Sequence, residues 1–352
     1  MAIKVGLIGC GAIANLHAQA YQKLGDRVEL VACCDIIEER AKNYSERYGY
    51  KKTYTDAETM LAECDLDAVS VCTWNAAHAK CTIAALKAGV NVLCEKPMAM
   101  NTAEALEMQA EAEKAGKLLM IGFVRRHGND AAAARDFIDK GFLGEIYHIK
   151  TSYLRRAGFP GNWFGDKAYS GGGPLIDLGV HMIDLSRYLA GNPKPVSVYG
   201  ATFNKIGPRD NLKSVILPWQ AETTIETPEF NVEDLVTAMI RFDNGMVLCA
   251  DASFSLNIKD DYQCLKIYGT KAGLDLTPFE IYSEENDMLA DIKIRGNVGE
   301  GDFFGAEIRN FIDSIEGKAV CKAPAEDGVE LMRILDAIYE SAETGKSVEI
   351  TR

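Results

Sequence analysis

One segment carries three polar side chains at spacings suited to proton transfer. Asp177, His181 and Asp184 follow the run Gly171–Pro174. At ~100° per residue, these spacings place the three side chains on one stripe of a helix. A histidine can accept a proton near neutral pH while a carboxylate one turn away holds its tautomer. The alternative is that His181 is a core histidine, but the glycine run, which would let backbone approach a ligand, favours a catalytic segment.

A glycine turn near the beginning of the chain has the spacing of a dinucleotide site. Residues Gly9–Ala14 fit G-x-G-x-x-A, after an apolar strand and at the opening of a helix. The first glycine permits the tight turn, the second leaves room for a pyrophosphate, and the alanine lets helix and strand pack closely. A glycine turn that binds nothing is the alternative. The candidate cofactor-binding residues here are Gly9, Gly11, Ala12 and Ile13.

Asp35 closes the second predicted strand, where a carboxylate can accept hydrogen bonds from the adenosine ribose. Its charge would oppose a 2′-phosphate, so NAD is favoured over NADP. Arg40, about one turn further on, leaves some room for NADP. The competing interpretation is that Asp35 only caps the helix beginning near Ile37, since aspartate is a preferred cap.

Lys96 follows the fourth predicted strand, within Glu95-Lys96-Pro97. It therefore emerges at the carboxyl edge of a parallel sheet, where ligands bind in open α/β folds. Its ammonium could stabilise an oxygen on which negative charge develops. Taken alone, the tripeptide also suits a surface ion pair.

Residues 1–123 alternate short apolar runs with helical patterns, which predicts a doubly wound parallel sheet of the Rossmann type. Glycines stand just past the ends of the predicted helices and indicate their stops. The predicted strands are Val5–Ile8, Val28–Cys34, Ala68–Thr73, Asn91–Cys94 and Leu118–Ile121. The predicted helices are Ile13–Leu24, Ile37–Tyr48, His78–Lys87 and Thr102–Ala115.

Residues 124–352 have a different pattern, which predicts an α+β domain with an open, mainly antiparallel sheet. Asn244-Gly245 accepts positive φ and predicts a two-residue hairpin turn. Residues 204–232 are irregular and predict a long loop or flap. A helix at about 325–343 could pack back on the first domain. The other predicted elements are Asn129–Lys140, Glu145–Arg155, Pro174–Leu189, Asp234–Phe242, Met246–Ser255, Phe303–Glu316 and Ser347–Ile350.

Composition narrows the class of function. The 352 residues carry a net charge of -13, which opposes non-specific binding to nucleic acid or an anionic membrane. No apolar run approaches the ~18 residues of a membrane span. The ten cysteines are scattered, which predicts reduced thiols of a cytoplasmic protein. No C-x-x-C pair occurs and the five histidines are dispersed, so no metal is expected. A small-molecule substrate is the leading partner.

Four motifs together resemble the glucose-fructose oxidoreductase / inositol dehydrogenase / rhizopine-catabolism family, written Gfo/Idh/MocA. They are Gly9–Ala14, Glu95–Pro97, Gly171–His181 and Asp336–Ala342, in this order and spacing, and the resemblance covers nearly the whole chain. It implies a Rossmann domain followed by an α/β domain whose open sheet mediates a homodimer or homotetramer.

The resemblance also implies roles for individual residues. Lys96, Asp177 and His181 match the family's catalytic trio, with His181 as the proton acceptor. Trp74 departs from the pattern, since many relatives have proline there. The segment matching the nicotinamide half of the cofactor site comprises Thr73, Trp74, Asn75 and His78, with Glu95, Lys96 and Arg125 or Arg126 nearby. The substrate side is expected to comprise Lys96, Arg155, Trp163, Asp177 and His181, although Trp163 could simply pack.

These observations predict an NAD-dependent oxidoreductase that passes a hydride between nicotinamide and a secondary hydroxyl of a sugar, inositol, other polyol or glycoside. Two alternatives stay open. A glycosidase that oxidises its substrate transiently would have the same cofactor site. A dinucleotide-binding sensor without turnover would keep the fold but would not need a proton acceptor.

Overall fold

The computed structural model describes residues 1–209, 211–212, 220–221, 225, 229–296, 298–299 and 301–351. The chain forms two compact units. The first contains Met1–Val124 and Asp302–Met332, and the second contains Arg125–Gly301 and Arg333–Arg352. No helix in the described ranges combines the length and apolar character that crossing a membrane requires.

The elements are labelled in chain order. The strands are β1 (Ile3–Ile8), β2 (Val28–Cys34), β3 (Lys52–Tyr54), β4 (Ala68–Val71), β5 (Asn91–Cys94), β6 (Leu119–Ile121), β7 (Ile146–Leu154), β8 (Pro195–Phe203), β9 (Leu235–Phe242), β10 (Val247–Ser253), β11 (Tyr262–Gly269), β12 (Ala272–Asp275), β13 (Glu280–Glu285), β14 (Met288–Lys293) and β15 (Val348–Glu349). The helices are α1 (Ala12–Gln22), α2 (Glu38–Tyr48), α3 (Ala57–Glu63), α4 (Asn75–Lys87), α5 (Thr102–Ala115), α6 (Asn129–Asp139), α7 (Lys167–Ser170), α8 (Val180–Leu189), α9 (Phe303–Ile315) and α10 (Ala325–Thr344). Short 3-10 helices cover Gly25–Arg27, Val124–His127 and Asn162–Gly165, and Leu175–Gly179 form a π-helix.

The first unit contains the predicted parallel sheet, with strand order β3-β2-β1-β4-β5-β6. This is the doubly wound order, and it reverses between β1 and β4. The central strands are apolar because they are buried on both faces; Val5, Leu7 and Val69 are fully inaccessible. The Rossmann-type fold is thus confirmed, and the turn after β1 lies at the switch point where such sheets bind ligands.

Two short elements of the first unit escaped sequence analysis. The strand β3 lies at the sheet edge and is exposed or half-buried, so it lacks the apolar run that marks the buried strands. The helix α3 has seven residues, fewer than two full turns, and therefore shows little periodicity. Asp56 caps it by accepting a hydrogen bond from the Thr59 N–H at 2.8 Å.

The expected boundary at residues 123 and 124 does not account for the return of Asp302–Met332 to the first unit. The helix α9 packs on α1, with Phe304 beside the ring of His17. Further along, the Ile121 N–H donates to the Ala323 carbonyl at 2.9 Å. The apolar face of α9 and this backbone pairing tie the returning segment to the first sheet. Only the first part of α10 belongs to this unit.

The second unit has a mainly antiparallel sheet, which confirms that prediction. Within the described residues its order is β14-β13-β12-β11-β7-β10-β9-β8-β15, and only β7 and β10 pair in parallel. Residues alternate between a buried and an exposed face along β9. The helix α8 packs against β7 and β10. One face of the sheet therefore carries the core of this unit.

The hairpin predicted at Asn244-Gly245 joins β9 to β10, but its turn differs from the prediction. The Phe242 N–H donates to the Met246 carbonyl at 3.0 Å, so three residues form the connection. Gly245 has a φ of 86°. This is the geometry of a three-residue loop that ends in a left-handed residue, rather than of a two-residue turn.

The predicted flap at 204–232 falls partly outside the described residues, which exclude 210, 213–219, 222–224 and 226–228 within it. Where the segment is described, its backbone attaches to neighbouring loops. Asp234 accepts the N–H groups of Lys205 and Gly207 at 2.7 and 2.9 Å. Ala221 donates to the Pro160 carbonyl at 2.8 Å.

A buried ion pair links the beginning of the second unit to α8. Arg126 and Asp184 are each 1% exposed, and the guanidinium donates from Nε and Nη2 to the two carboxylate oxygens at 2.9 and 2.6 Å. The guanidinium also lies over the ring of Tyr188 at 5.0 Å. Since both charges are removed from water, each depends on the other to offset the cost of desolvation.

Replacing one partner of this pair should therefore destabilise the second unit strongly. We expect Asp184→Asn to lower the free energy of unfolding by about 3–5 kcal/mol, because it leaves a buried guanidinium without its counter-charge. Urea unfolding followed by circular dichroism measures this. The double variant Arg126→Met/Asp184→Leu should lose less than the single one. Asp139→Asn, in the more exposed pair with Arg135, is the control and should cost less than about 1 kcal/mol; equal losses in the two single variants would contradict the prediction.

Candidate functional site

The fingerprint turn after β1 needs glycine for steric reasons. Gly9 has a φ of 91°, and a Cβ there would lie 2.7 Å from the backbone carbonyl of Cys72. A Cβ on Gly11 would meet no atom within 4 Å. Ala14 is fully buried, and its carbonyl accepts a hydrogen bond from the Tyr44 hydroxyl. The turn is closed on the side of the sheet and open on the side of Gly11.

The beginning of α1 fits the diphosphate of a dinucleotide. Gly11 is the N-cap, no side chain caps the helix, and its first turn, which is fully described, contains no acidic residue. The first N–H groups of a helix lack partners within it, and the partial positive charge at this end favours an anion. Ala12 and Ile13 begin this turn. The residues present therefore fit the phosphates of NAD.

Asp35 binds two backbone N–H groups between β1 and α2. Its side chain is 7% exposed, with one carboxylate oxygen accepting the Cys10 N–H and the other the Ile37 N–H, both at 2.9 Å. The second bond holds Ile37, the N-cap residue of α2, but no side chain caps this fully described helix, so the alternative that Asp35 is the helix cap is wrong. The first bond places negative charge at the fingerprint turn. A carboxylate there disfavours a 2′-phosphate through like-charge repulsion.

The loop after β5 presents Lys96 from a rigid support. Lys96 is half-buried, and its N–H donates to the carboxylate of buried Glu95 at 3.1 Å. His78, only 1% exposed, faces the carbonyls of Pro97 and Thr73 with its two ring nitrogens, at 2.7 and 3.1 Å. Burial lowers the pKa of His78, which favours the neutral ring. A neutral ring donates only once, and the shorter contact makes Pro97 the better acceptor.

The other residues of the Thr73–His78 segment differ in exposure. Trp74 is the N-cap of α4 and is half-buried, whereas Asn75 is only 6% exposed. Thr73 donates from its hydroxyl to the Trp74 carbonyl at 3.2 Å. The first unit thus holds Gly9, Gly11, Ala12, Ile13, Asp35, Thr73, Trp74, Asn75, His78, Glu95 and Lys96.

Sequence analysis missed a buried cluster behind Lys96. His17 of α1, Glu95 and Glu307 of α9 bring possible metal-ligand atoms within 4.8 Å of one another. The His17 Nε2 is 2.8 Å from Glu95, and its Nδ1 is 3.1 Å from the Ser70 hydroxyl. Both oxygens of Glu307 are buried without a hydrogen-bond partner among the described atoms. The signal was weak because the three residues lie far apart in the chain.

A proton is the simplest neutraliser of this cluster. Burial, and then the neighbouring charge of Glu95, hold the pKa of Glu307 well above its usual range. The pKa of Glu95 is lowered overall: burial raises it, but the hydrogen bond from His17 and the charges of His17 and Lys96 outweigh that effect. The two carboxyl groups are thus driven apart in pKa, with the proton on Glu307 and the charge on Glu95.

In the second unit, the segment after the glycine run buries nearly every side chain. Between residues 172 and 187, Asp177 and His181 alone are half-exposed, and all the others are buried. The π-helix at Leu175–Gly179 precedes α8, and single turns of this kind recur at functional sites. A buried helical segment that leaves one carboxylate and one imidazole half-exposed, four residues apart, is suited to proton transfer.

The expected stripe of three polar residues is wrong at its third member. Asp184 is held by Arg126 in the buried ion pair, so it serves packing rather than the exposed face. The π-helix widens one turn, and the regular 100° spacing therefore does not apply across it. Arg126 is used in the same ion pair with Asp184. Arg125 forms a different ion pair, with its Nη2 atom 3.3 Å from the Asp130 carboxylate.

The loop expected on the substrate side is held by its own side chains. Arg155 donates to the Gly158 carbonyl at 2.9 Å and to the Tyr153 hydroxyl at 3.3 Å. Trp163 is half-buried and stacks on Phe164, with ring centroids 3.9 Å apart. The second unit holds Arg125, Arg155, Trp163, Asp177 and His181.

Comparison with known proteins agrees with this architecture. Residues 3–123 match the oxidoreductase family with an NAD-binding Rossmann fold, and residues 131–275 match the GFO/IDH/MocA C-terminal domain. The chain belongs to the Gfo/Idh/MocA oxidoreductase family. The predicted family and its NAD-binding domain are therefore confirmed, and the protein is an oxidoreductase.

Relatives within the Gfo/Idh/MocA family align over almost the whole chain. D-glucoside 3-dehydrogenase of Escherichia coli strain K12 is 38% identical and covers 99% of this chain and 97% of its own. Levoglucosan dehydrogenase of Pseudarthrobacter phenanthrenivorans is 27% identical, with coverages of 99% and 98%. A crystal structure of an oxidoreductase domain protein from Kribbella flavida superposes with a TM-score of 0.87 at 26% identity and covers 100% of both chains.

The proton on Glu307 predicts a specific pH dependence of stability. A carboxyl whose pKa is raised by folding stabilises the folded state at low pH, and this contribution is lost as the pH rises above the unfolded value. The parent should therefore lose up to about 1.4 kcal/mol per pH unit relative to Glu307→Gln, which cannot titrate. We expect the free energy of unfolding of Glu307→Gln to rise relative to that of the parent between about pH 5 and pH 8. Chemical unfolding at each pH measures this difference.

The control for this experiment is Glu58→Gln, which changes an exposed carboxyl in the same unit. Its stability difference from the parent should show no comparable trend. A difference between Glu307→Gln and the parent that stays constant across the pH range would show that Glu307 holds no additional proton in the folded state.

Proposed function

We propose that this protein is an NAD-dependent dehydrogenase that oxidises a secondary hydroxyl of a glucoside-type sugar. The carrying observation is that Asp177 and His181 are the half-exposed pair in the otherwise buried segment 172–187, in a chain that aligns over 99% of its length with D-glucoside 3-dehydrogenase. Levoglucosan dehydrogenase, a second full-length relative, also has a sugar derivative in its name. Sugars, other polyols and glycosides are therefore the substrate class to test first.

His181 is the proposed proton acceptor. Its Nδ1 atom is buried whereas the residue as a whole is half-exposed, so Nε2 is the atom that we assign to the substrate hydroxyl. The unperturbed pKa of an imidazole, about 6.5, suits a general base near neutral pH. Asp177 would orient the imidazole or hold the sugar. Lys96 would stabilise the oxygen from which the proton departs, because its ammonium offsets the developing negative charge.

The cofactor fits the first unit. NAD, when bound, supplies the acceptor for the hydride. The beginning of α1 would hold its diphosphate, and Asp35 would hold the adenosine ribose, which favours NAD over NADP. The residues that we propose around the nicotinamide half of the cofactor are Thr73, Trp74, Asn75, His78, Glu95 and Arg125. Arg155 and Trp163 are proposed on the substrate side.

The second unit supports self-association through its sheet. Tyr199 pairs with Met239 on neighbouring strands, and these two residues are 50% and 48% exposed. Tyr262 and Tyr268 lie on β11 and are 48% and 36% exposed. Large apolar and aromatic side chains on an uncovered sheet face favour an interface with a second copy. We propose a homodimer or homotetramer. The ten cysteines are all described and none is in a disulfide, which supports a cytoplasmic location.

Turnover should depend on both proposed catalytic side chains. We expect Lys96→Ala and His181→Ala to lower kcat by about 10²–10⁴-fold, because each removes a group that acts on the reacting oxygen. NAD should still bind, since both variants leave the proposed diphosphate and adenosine ribose sites intact. The measurement is NADH absorbance with methyl glucosides, glucose and myo-inositol, beside NAD titration by calorimetry. Lys87→Ala, an exposed lysine of the same unit, is the control. Parent-like turnover in both variants would remove these roles, and hydrolysis of a glycoside without lasting NADH would identify a glycosidase instead.

Association should depend on the open sheet face. Charged side chains cannot be buried there without partners, so Tyr199→Asp/Met239→Asp should shift the protein from an oligomer to the monomer mass in light scattering coupled to size exclusion. Val320→Asp, at an 87% exposed apolar residue of the other unit, is the control. A parent protein that is already monomeric, or an unchanged mass in the double variant, would refute this interface.

A further inference from the structure

We propose that Glu233 and Tyr339 act as positioning residues that hold the glycine run and thereby orient Asp177 and His181. This inference rests on the proposed function for its catalytic consequence. The residues that carry it all lie in the second unit. They come from three distant parts of the chain, which meet at the first turn of the catalytic segment.

Glu233 satisfies the N–H groups that begin this segment. It is 8% exposed, with one carboxylate oxygen accepting the Gly173 N–H and the other accepting the Leu175 N–H, both at 3.1 Å. Pro174, between them, has no N–H to donate. No side chain at the N-cap forms a capping bond, so the distant glutamate replaces the local cap.

Tyr339 of α10 completes the arrangement by fixing the glutamate. Its hydroxyl donates to Glu233 at 3.0 Å, at the same oxygen that accepts the Leu175 N–H. Lys167, exposed on α7, lies over the Tyr339 ring at 5.5 Å. The Glu233 carboxylate is therefore bound by the Tyr339 hydroxyl of α10 and by the two N–H groups at the beginning of the π-helix.

The same contacts explain the glycine run, which sequence analysis assigned to close approach by a ligand. A Cβ on Gly172 would lie 1.8 Å from the Tyr339 hydroxyl, and one on Gly173 would lie 2.3 Å from the Glu233 carbonyl. Gly171 has a φ of 81°, which favours glycine. The protein's own side chains and backbone occupy the space that these two glycines leave.

The position of Asp177 follows directly from the held turn. The Gly173 carbonyl accepts the N–H groups of Ile176 and Asp177, both at 3.1 Å. A shift of Gly173 therefore moves Asp177 with it, and His181 is the next half-exposed side chain along the same helix. Misplacement of a catalytic group by about 1 Å can lower a rate by 10²-fold.

The test uses Glu233→Gln and Tyr339→Phe in the whole 352-residue chain. A glutamine must turn its NH₂ group toward one of the donors, so Glu233→Gln should lower kcat by about 10–100-fold. Tyr339→Phe, which leaves both N–H acceptors in place, should lower it less. Because Tyr339 acts through its hydrogen bond to the Glu233 carboxylate, the kcat of the double variant should be close to that of Glu233→Gln alone. The KM for NAD should stay within about twofold of the parent, since the fingerprint turn is in the other unit.

Hydrogen–deuterium exchange tests the anchor without relying on turnover. In Glu233→Gln, peptides covering 171–181 should exchange about 10-fold faster than in the parent, with the melting temperature nearly unchanged. The matched control is Glu280→Gln with Tyr282→Phe, a glutamate–tyrosine hydrogen bond of 2.9 Å on β13 of the same unit. That pair should change neither the exchange of 171–181 nor kcat.

The outcomes separate the two proposals. Faster exchange of 171–181 together with a fall in kcat supports the positioning role. Faster exchange in Glu233→Gln, in a protein whose parent turns over no sugar, polyol or glycoside, refutes the proposed function but still supports the anchoring of the glycine run by Glu233. Unchanged exchange in Glu233→Gln, or a kcat equal to that of the parent, overturns the positioning role.

Discussion

Buried carboxylates that accept backbone N–H groups hold three of the loops that carry candidate site residues. Asp35 binds the fingerprint turn and the beginning of α2, Glu95 binds the Lys96 N–H, and Glu233 binds the turn that begins at Gly173. A buried carboxylate is expensive unless its oxygens are satisfied, and a buried N–H is expensive for the same reason. Each pairing meets both demands at once, so these loops resist rearrangement where side chains must be held for chemistry.

This constraint assigns different roles to glycines that look alike in the sequence. At Gly11, the space in front of the backbone is open, as a bound diphosphate requires. At Gly172, the corresponding space is filled by Tyr339. The first glycine leaves room for a ligand and the second leaves room for the protein itself. Glycine runs near proposed active sites therefore need a structure before they are assigned to substrate binding.

Charge is treated in two ways within the protein. Arg126 and Asp184 are both buried and neutralise each other. Glu95 and Glu307 would both be negative if both were ionised. Burial and the charge of Glu95 raise the pKa of Glu307, so the second negative charge does not form. The charged Glu95 then lies one residue from Lys96, the lysine assigned to the reacting oxygen. The proton on Glu307 thus contributes to the electrostatics of the loop that carries Lys96.

Sequence alone determined the parts of the fold that depend on local chemistry. The strands β2 and β5 and the helix α5 were predicted with the bounds that the structure shows, because apolar runs, helical periodicity and glycine stops act over a few residues. The fingerprint at Gly9 was recognisable for the same reason. The strands β11 to β14, with their more exposed and less apolar pattern, were not predicted.

Only the tertiary structure decided which polar residues are used by the protein itself. Nothing near Asp184 in the sequence indicates that Arg126 neutralises it, and Glu233 stands 60 positions from the N–H of Gly173 that it accepts. The joining of His17 to Glu307 depends on the return of α9 to the first unit. Such pairings are set by chain topology and by the need to satisfy buried charge, and both act between residues that a local pattern cannot connect.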